Sequence, residues 1–130
     1  MPATISIAYH SGYGHTKVLA AAVREGLESV DGTTAHVIDV TSMTDTAWEL
    51  LNNSDAIIFG SPTYMGAVSG PFKIFMDQTS RIWLNREWQN KLAAGFTVSS
   101  SQAGDKFATL SQISTLAAQH GMLWVSLGLL

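Results

Sequence analysis

Short runs of apolar and β-branched residues alternate with stretches of helical spacing through the whole sequence. Thr4–Tyr9 (TISIAY) is such a run and predicts a buried strand. In Lys17–Val30 the apolar positions Leu19, Ala22, Val23, Leu27 and Val30 recur at helical spacing. Ala35–Val40 predicts a second strand, Thr46–Asn52 a short helix, and Ala56–Phe59, apolar throughout, a third strand. Pro71 suits the first turn of a helix, with Phe72, Phe75, Met76 and Thr79 on one face of it. Leu92–Val98 predicts a fourth strand, Phe107–His120 a helix with Leu110, Ile113 and Ala117 inward, and Met122–Leu127 a fifth strand. No repeat, low-complexity tract or linker interrupts the pattern, so residues 1–130 are expected to form one domain.

Strands and helices in strict alternation imply right-handed crossovers and a parallel α/β sheet. Ligands of such open sheets bind beyond the carboxyl ends of the strands, where the strand order reverses. That places function in His10–Thr16, Ser61–Gly70 and Ser99–Asp105, the segments after strands one, three and four. A doubly wound domain usually carries one more helix after its fifth strand, and the pattern here predicts none. Part of one face of the sheet is therefore expected to be bare in residues 1–130, to be covered either by further residues or by a neighbouring subunit.

Composition agrees with this layout. The chain is 46% hydrophobic and 13% charged, against about 25% charged in an average domain, as a sheet covered on both faces requires. The formal net charge of −3 carries no nucleic-acid footprint. The absence of cysteine excludes disulfides, thiolate catalysis and cysteine metal sites, and no His pair has metal-ligand spacing with carboxylates, so no metal is expected. No apolar run approaches the roughly 20 residues of a membrane span, and Met1–Tyr9 has no basic n-region. A cytoplasmic protein without membrane or nucleic-acid partners is expected.

The loop after strand one holds the strongest chemical signal. Ser11, Tyr13, His15 and Thr16 offer side-chain donors, and Gly12 and Gly14 allow close approach. The unsatisfied first-turn amides of the next helix point into this loop and make an anion nest. The dinucleotide pattern G-x-G-x-x-G fails because Lys17 stands at its third Gly, and no nucleotide-hydrolase P-loop is present. A hydroxyl-rich loop without a catalytic Lys suits a terminal monophosphate; the plainer alternative is a tight turn before a capped helix.

Ser11-Gly12-Tyr13-Gly14-His15-Thr16 resembles the Ser/Thr-x-x-Gly-x-Thr phosphate loop of flavodoxin-like proteins. Gly60–Gly66 (GSPTYMG), Phe75–Thr79 (FMDQT) and Ala118–Met122 (AQHGM) resemble, in order, the tryptophan-repressor-binding-protein family of FMN-dependent NAD(P)H:quinone reductases. The resemblance spans essentially the whole chain, although the family fold continues past the equivalent of Leu130. It implies a flavodoxin-like, doubly wound five-stranded sheet of order 2-1-3-4-5 with helices on both faces, lacking the final helix. It implies FMN as cofactor, with Ser11–Thr16 on the phosphate and Pro62, Thr63, Tyr64, Met65 and Gly66 as the platform for the ring. Ser99, Ser100, Ser101 and Gly104 would meet the rest of the flavin, in a loop that is richer in Ser and poorer in Gly than the family's. The family often has Thr-Arg-Phe-Gly where this chain has Thr63-Tyr64-Met65-Gly66. The His matching His120 reaches the flavin pocket and is placed to move a proton; taken alone, without that match, His120 reads first as a cation at a helix C-terminus. The Trp matching Trp83 helps build the active-site mouth at a subunit interface.

The resulting expectation is an FMN-dependent NAD(P)H:quinone oxidoreductase working by two-electron hydride transfer, as a homodimer or homotetramer. Among the three loops only Asp105 is a carboxylate, which favours hydride transfer over one-electron shuttling. A flavodoxin-type one-electron carrier and a non-catalytic domain with a degenerate site stay open.

Overall fold

A computed structural model describes residues 1–129. In chain order the elements are β1 (Ala3–Tyr9), α1 (His15–Glu28), β2 (Thr33–Asp39), α2 (Asp45–Asn53), β3 (Ala56–Tyr64), β4 (Ala67–Val68), α3 (Gly70–Gln78), α4 (Ser80–Leu84), β5 (Leu92–Val98), α5 (Lys106–Gln119) and β6 (Leu123–Trp124). A single 3₁₀ turn, Val40–Ser42, follows β2 and is capped by Asp39, whose side chain accepts from the Thr41 N–H. Thr44 caps α2 and Ser69 caps α3 in the same way.

The sheet runs β2-β1-β3-β5-β6. Its neighbours on this path are all parallel. This is the flavodoxin-like order expected from the resemblance, once the short antiparallel β4 beside β3 is counted. Two strands differ from expectation. β3 continues through Ser61, Pro62 and Thr63 to Tyr64 instead of stopping at Phe59. Beyond Gly60, β1 no longer flanks it; β5 pairs as far as Pro62, and β4 pairs with Thr63 and Tyr64. Pro62 therefore sits where its missing N–H leaves no ladder bond unmade. The fifth expected strand shrinks to Leu123–Trp124, at the sheet edge and paired only with Leu92–Ala93.

The two faces are unequally covered. One carries the larger core, in which Phe72 and Phe75 of α3, Trp48 and Leu51 of α2, and Ile113, Leu116 and Ala117 of α5 close on Ile57 and Phe59. Trp88 belongs here as packing: it is fully buried, and its Nε1–H donates to Asn52 Oδ1 at 2.8 Å. The other face has a small cluster of Ile7, Tyr9 and Ala20, with Val23, Leu27, Ile58 and Phe96 half-buried around it. The inward stripe of α1 is Thr16, Ala20, Val23 and Leu27, whereas Leu19 and Val30 face solvent. Among the described residues α1 is the one helix on this face, and no second helix packs against the flank that Leu19 offers.

Candidate functional site

The carboxyl ends of β1, β3 and β5 gather the three loops into one cleft of about 530 Å³, a size suited to a small ligand. Tyr13, His15, Thr16, Pro62, Thr63 and Tyr64 line it, with Val98, Ser99 and Ser100 opposite. No carboxylate is among these lining residues.

In the first loop, Ser11 Oγ turns inward and accepts from the N–H groups of Gly14 and Lys17, at 3.1 and 3.2 Å. It thereby braces the loop ahead of α1, whose first-turn N–H groups have no partners within the helix. Gly14 precedes α1 with φ of 100°, a conformation that excludes ordinary side chains. Thr16 Oγ1 is the telling atom: the residue is 1% exposed, and the hydroxyl has no partner among the described residues. A buried hydroxyl left unpaired is rare and costly, and at a helix N-terminus it marks a place for an anion.

The second loop is a hairpin. Met65 and Gly66 connect β3 to β4 with φ of 49° and 76°, both positive, as a type I′ turn requires. Met65 is fully exposed at its tip. Tyr64, just before the turn, folds back over the first loop; a Cβ on Gly12 would run into its hydroxyl. Its ring meets Tyr13 edge-on, with centroids 6.1 Å apart. Thr63 Oγ1 is bonded to Thr97 Oγ1 at 2.7 Å and Thr109 Oγ1 at 2.8 Å. Its hydroxyl thus ties β3 to β5 and α5, a role invisible in the sequence because its partners lie 34 and 46 residues away. Gly66 lies against the Asp105 carboxyl group, which makes no cap bond to α5 although Asp105 is its N-cap residue.

Beneath the cleft a second unforeseen network joins the loops. His10 Nδ1 is 2.7 Å from Ser69 Oγ, and Ser69 Oγ accepts from the Phe72 N–H. Ser61 Oγ accepts from the Ser69 N–H at 3.0 Å. Burial holds the His10 pKa below its ordinary value, partly opposed by the nearby Asp39 charge. Burial also raises the Tyr9 pKa, and Asp39 adds to that effect.

The structure separates His120 and Trp83 from this cleft of their own chain. α5 begins at the cleft and carries the chain back along the sheet for 14 residues, about 21 Å at 1.5 Å per residue. His120 therefore lies at the opposite end of α5. It is the C-cap residue, followed by Gly121 with φ of 68°. The Met122 N–H reaches the Ala117 carbonyl and the Gly121 N–H reaches the Ala118 carbonyl, the paired bonds of a Schellman motif. His120 is buried against Trp88, 4.6 Å between ring centroids, with Nε2 2.9 Å from Thr79 Oγ1 and Nδ1 unpartnered. Burial lowers its pKa, so the neutral ring is the favoured form and the helix-terminal cation is not. Together with Trp83, half exposed, it lines a separate cavity of about 550 Å³ between α3–α4 and α5.

Among the described residues no three His, Asp or Glu side chains gather as a metal site, and no helix is long and apolar enough to cross a membrane.

Fold and cleft together define a flavodoxin-like α/β protein. Residues 7–129 match the model of the NADPH-dependent FMN reductase family, and the chain belongs to that family. It is 48% identical over 126 residues to Flavodoxin FldP of Pseudomonas aeruginosa (strain UCBPP-PA14), covering 95% of this chain and 65% of that protein. The crystal structure of a flavodoxin, WrbA-like protein from Agrobacterium tumefaciens is 49% identical, with a TM-score of 0.87 over 97% of this chain and 78% of the other. A flavodoxin from the domain Archaea superposes with a TM-score of 0.78 at 25% identity, covering 95% of this chain and 78% of its own. The cleft fits the cofactor of this family, FMN: it joins an unpaired buried hydroxyl at a helix start to an aromatic wall and a hydroxyl-rich rim.

Proposed function

We propose that this chain is an FMN-dependent NAD(P)H:quinone oxidoreductase, and that the cleft at the carboxyl edge of the sheet is its active site. The observation that carries this reading is the neutral lining of the cleft, which includes no Asp or Glu. A one-electron carrier gains from acidic walls that disfavour added negative charge on its cofactor; a wall of Tyr, Thr, Ser and Pro does not impose that penalty. FMN, when bound, supplies the two-electron redox chemistry. The protein supplies the placement. Thr16 Oγ1 and the first-turn amides of α1 hold the phosphate, with Ser11 bracing the loop. Gly12 gives the Tyr64 ring room to close over that end, and Pro62 and Tyr64 wall the ring site. Met65 and Gly66 form the turn beside it, and Ser99, Ser100, Ser101 and Gly104 close the far side.

His120 and Trp83 belong to the reading only through a second copy of the chain, because neither lines the cleft of its own chain. Exposed Trp83 and Leu84 beside the His120 cavity support a homodimer or homotetramer. A cytoplasmic location completes the proposal.

The test is steady-state oxidation of NADH or NADPH by 1,4-benzoquinone with the FMN-loaded protein. Turnover that depends on FMN supports the reductase. The name flavodoxin on the 48%-identical relative favours a carrier as the second reading. No turnover, with two separated one-electron steps in a reductive titration, would establish the carrier instead.

A further inference from the structure

The loop after β5 is organised around one cation that no sequence pattern singles out. Ser99–Asp105 forms no helix or strand, yet its oxygens converge. Lys106, the first residue of α5, donates from Nζ to Ser99 Oγ at 2.7 Å, to the Ser101 carbonyl at 2.9 Å and to the Gln102 carbonyl at 2.9 Å. An ammonium has three donors, and here each has an oxygen. Ser99 Oγ in turn donates to the Ser101 carbonyl at 2.7 Å, and the Gly104 N–H reaches the same carbonyl at 3.3 Å. Gly104 makes this closure possible: a Cβ there would lie 2.5 Å from Ser99 Oγ and 2.9 Å from Ser99 Cβ.

The position is a poor one for the helix. A cation in the first turn faces the positive end of the macrodipole, so helix formation does not explain Lys106. Ion pairing does not explain it either, because the ion pairs among the described residues are Arg24–Glu28 and Lys73–Asp77. What Lys106 touches is the backbone and hydroxyl of a loop whose residues Ser99 and Ser100 line the cleft.

We propose that Lys106 is a positioning residue for the flavin cleft: the three-oxygen cup around its ammonium fixes the Ser99–Gly104 loop so that Ser99 and Ser100 form the far wall. The inference rests on the FMN reading of the cleft. The cup suits a compact tetrahedral donor; a planar guanidinium directs its N–H groups in a fork and does not match three convergent oxygens. Lys106 therefore acts through geometry, and arginine at this position retains the charge while losing the cup.

The experiment compares the wild-type chain with Lys106→Met and Lys106→Arg. FMN and riboflavin affinities are measured by fluorescence quenching, and amide hydrogen exchange over residues 99–105 is followed without flavin. Lys106→Met is expected to weaken FMN and riboflavin alike, by about tenfold for the loss of a charge-assisted network, and to speed exchange across the loop. Lys106→Arg should restore neither fully. Ser99→Ala, which takes one oxygen from the cup, should give a smaller change in the same direction and serves if Lys106→Met fails to fold. Unchanged affinity and exchange in Lys106→Met would overturn the inference. So would a loss confined to FMN, which would make Lys106 a phosphate counter-charge, or full restoration by Lys106→Arg. Failure of the wild-type chain to bind either flavin would instead overturn the reading of the cleft itself.

Discussion

Thr16 shows how one atom can be costly to the empty fold and useful to the site. Its hydroxyl is buried without a partner, so it destabilises the protein until a ligand oxygen reaches it. Thr16→Val keeps the shape and removes the hydroxyl. The variant should lose FMN affinity by about tenfold, bind riboflavin nearly as well as wild type, and melt no lower than wild type without ligand. Equal losses for the two flavins would show that Thr16 does not touch the phosphate. His10 and His120 carry a different kind of cost. Burial lowers the pKa of both, so the folded state resists protonation while the unfolded chain titrates near about 6.5. Below that pH the unfolded state binds more protons, and stability is lost as the pH falls; above it the full stability is present. The urea midpoint should therefore drop between pH 7.5 and pH 5.5. His120→Gln should flatten that dependence, and an identical slope in the variant would remove His120 from the account.

The β3–β4 hairpin sets the shape of the cleft at the level of an element. Both turn residues hold positive φ, where an L side chain costs about 1–2 kcal/mol and a β-branched one is worst placed. Gly66→Val should lower stability by about 1–2 kcal/mol, read by urea unfolding, and Met65→Asn should raise it slightly because Asn tolerates this region. A Gly66→Val protein as stable as wild type would mean that the turn rearranges freely. This hairpin was not legible in the sequence: Met-Gly is not a recognised turn pair, and Pro62 pointed to a loop where β3 in fact continues. The main parallel strands were legible, because β1, β2, β3 and β5 are short apolar or β-branched runs; the crossover rules make them parallel, and their order came from the family resemblance. The first loop was legible too, since its glycines, hydroxyls and helix start are contiguous. The Thr63–Thr97–Thr109 and His10–Ser69–Ser61 networks were not, because they join residues from different elements that meet only once the sheet has formed. The distance of His120 from its own chain's cleft was not legible either: a motif gives the identity of a helix end and says nothing of which end of the sheet it reaches.

Across the whole molecule, the electrostatics of FMN binding are unusual for a phosphate site. The chain carries a formal net charge of −3, and no Lys or Arg lines the cleft. In the proposed site a phosphate dianion would then be held by short-range hydrogen bonds from Thr16, backbone N–H groups and the helix terminus, against a weak long-range repulsion. Added salt screens the repulsion within about 8–10 Å at physiological strength and leaves the direct hydrogen bonds largely intact. A site built on cations behaves oppositely, losing affinity as counterions compete. FMN affinity at pH 8 should therefore stay level or rise slightly between about 50 and 500 mM NaCl, with a change smaller than about threefold. Isothermal titration at several salt concentrations measures it directly. A tenfold fall would show that Lys17 or Lys106 reaches the phosphate in the loaded protein. It would also undo the distinction between a neutral cleft suited to two-electron transfer and the charged surroundings of a carrier, because the charge around the cofactor would then be one that the unliganded structure does not display.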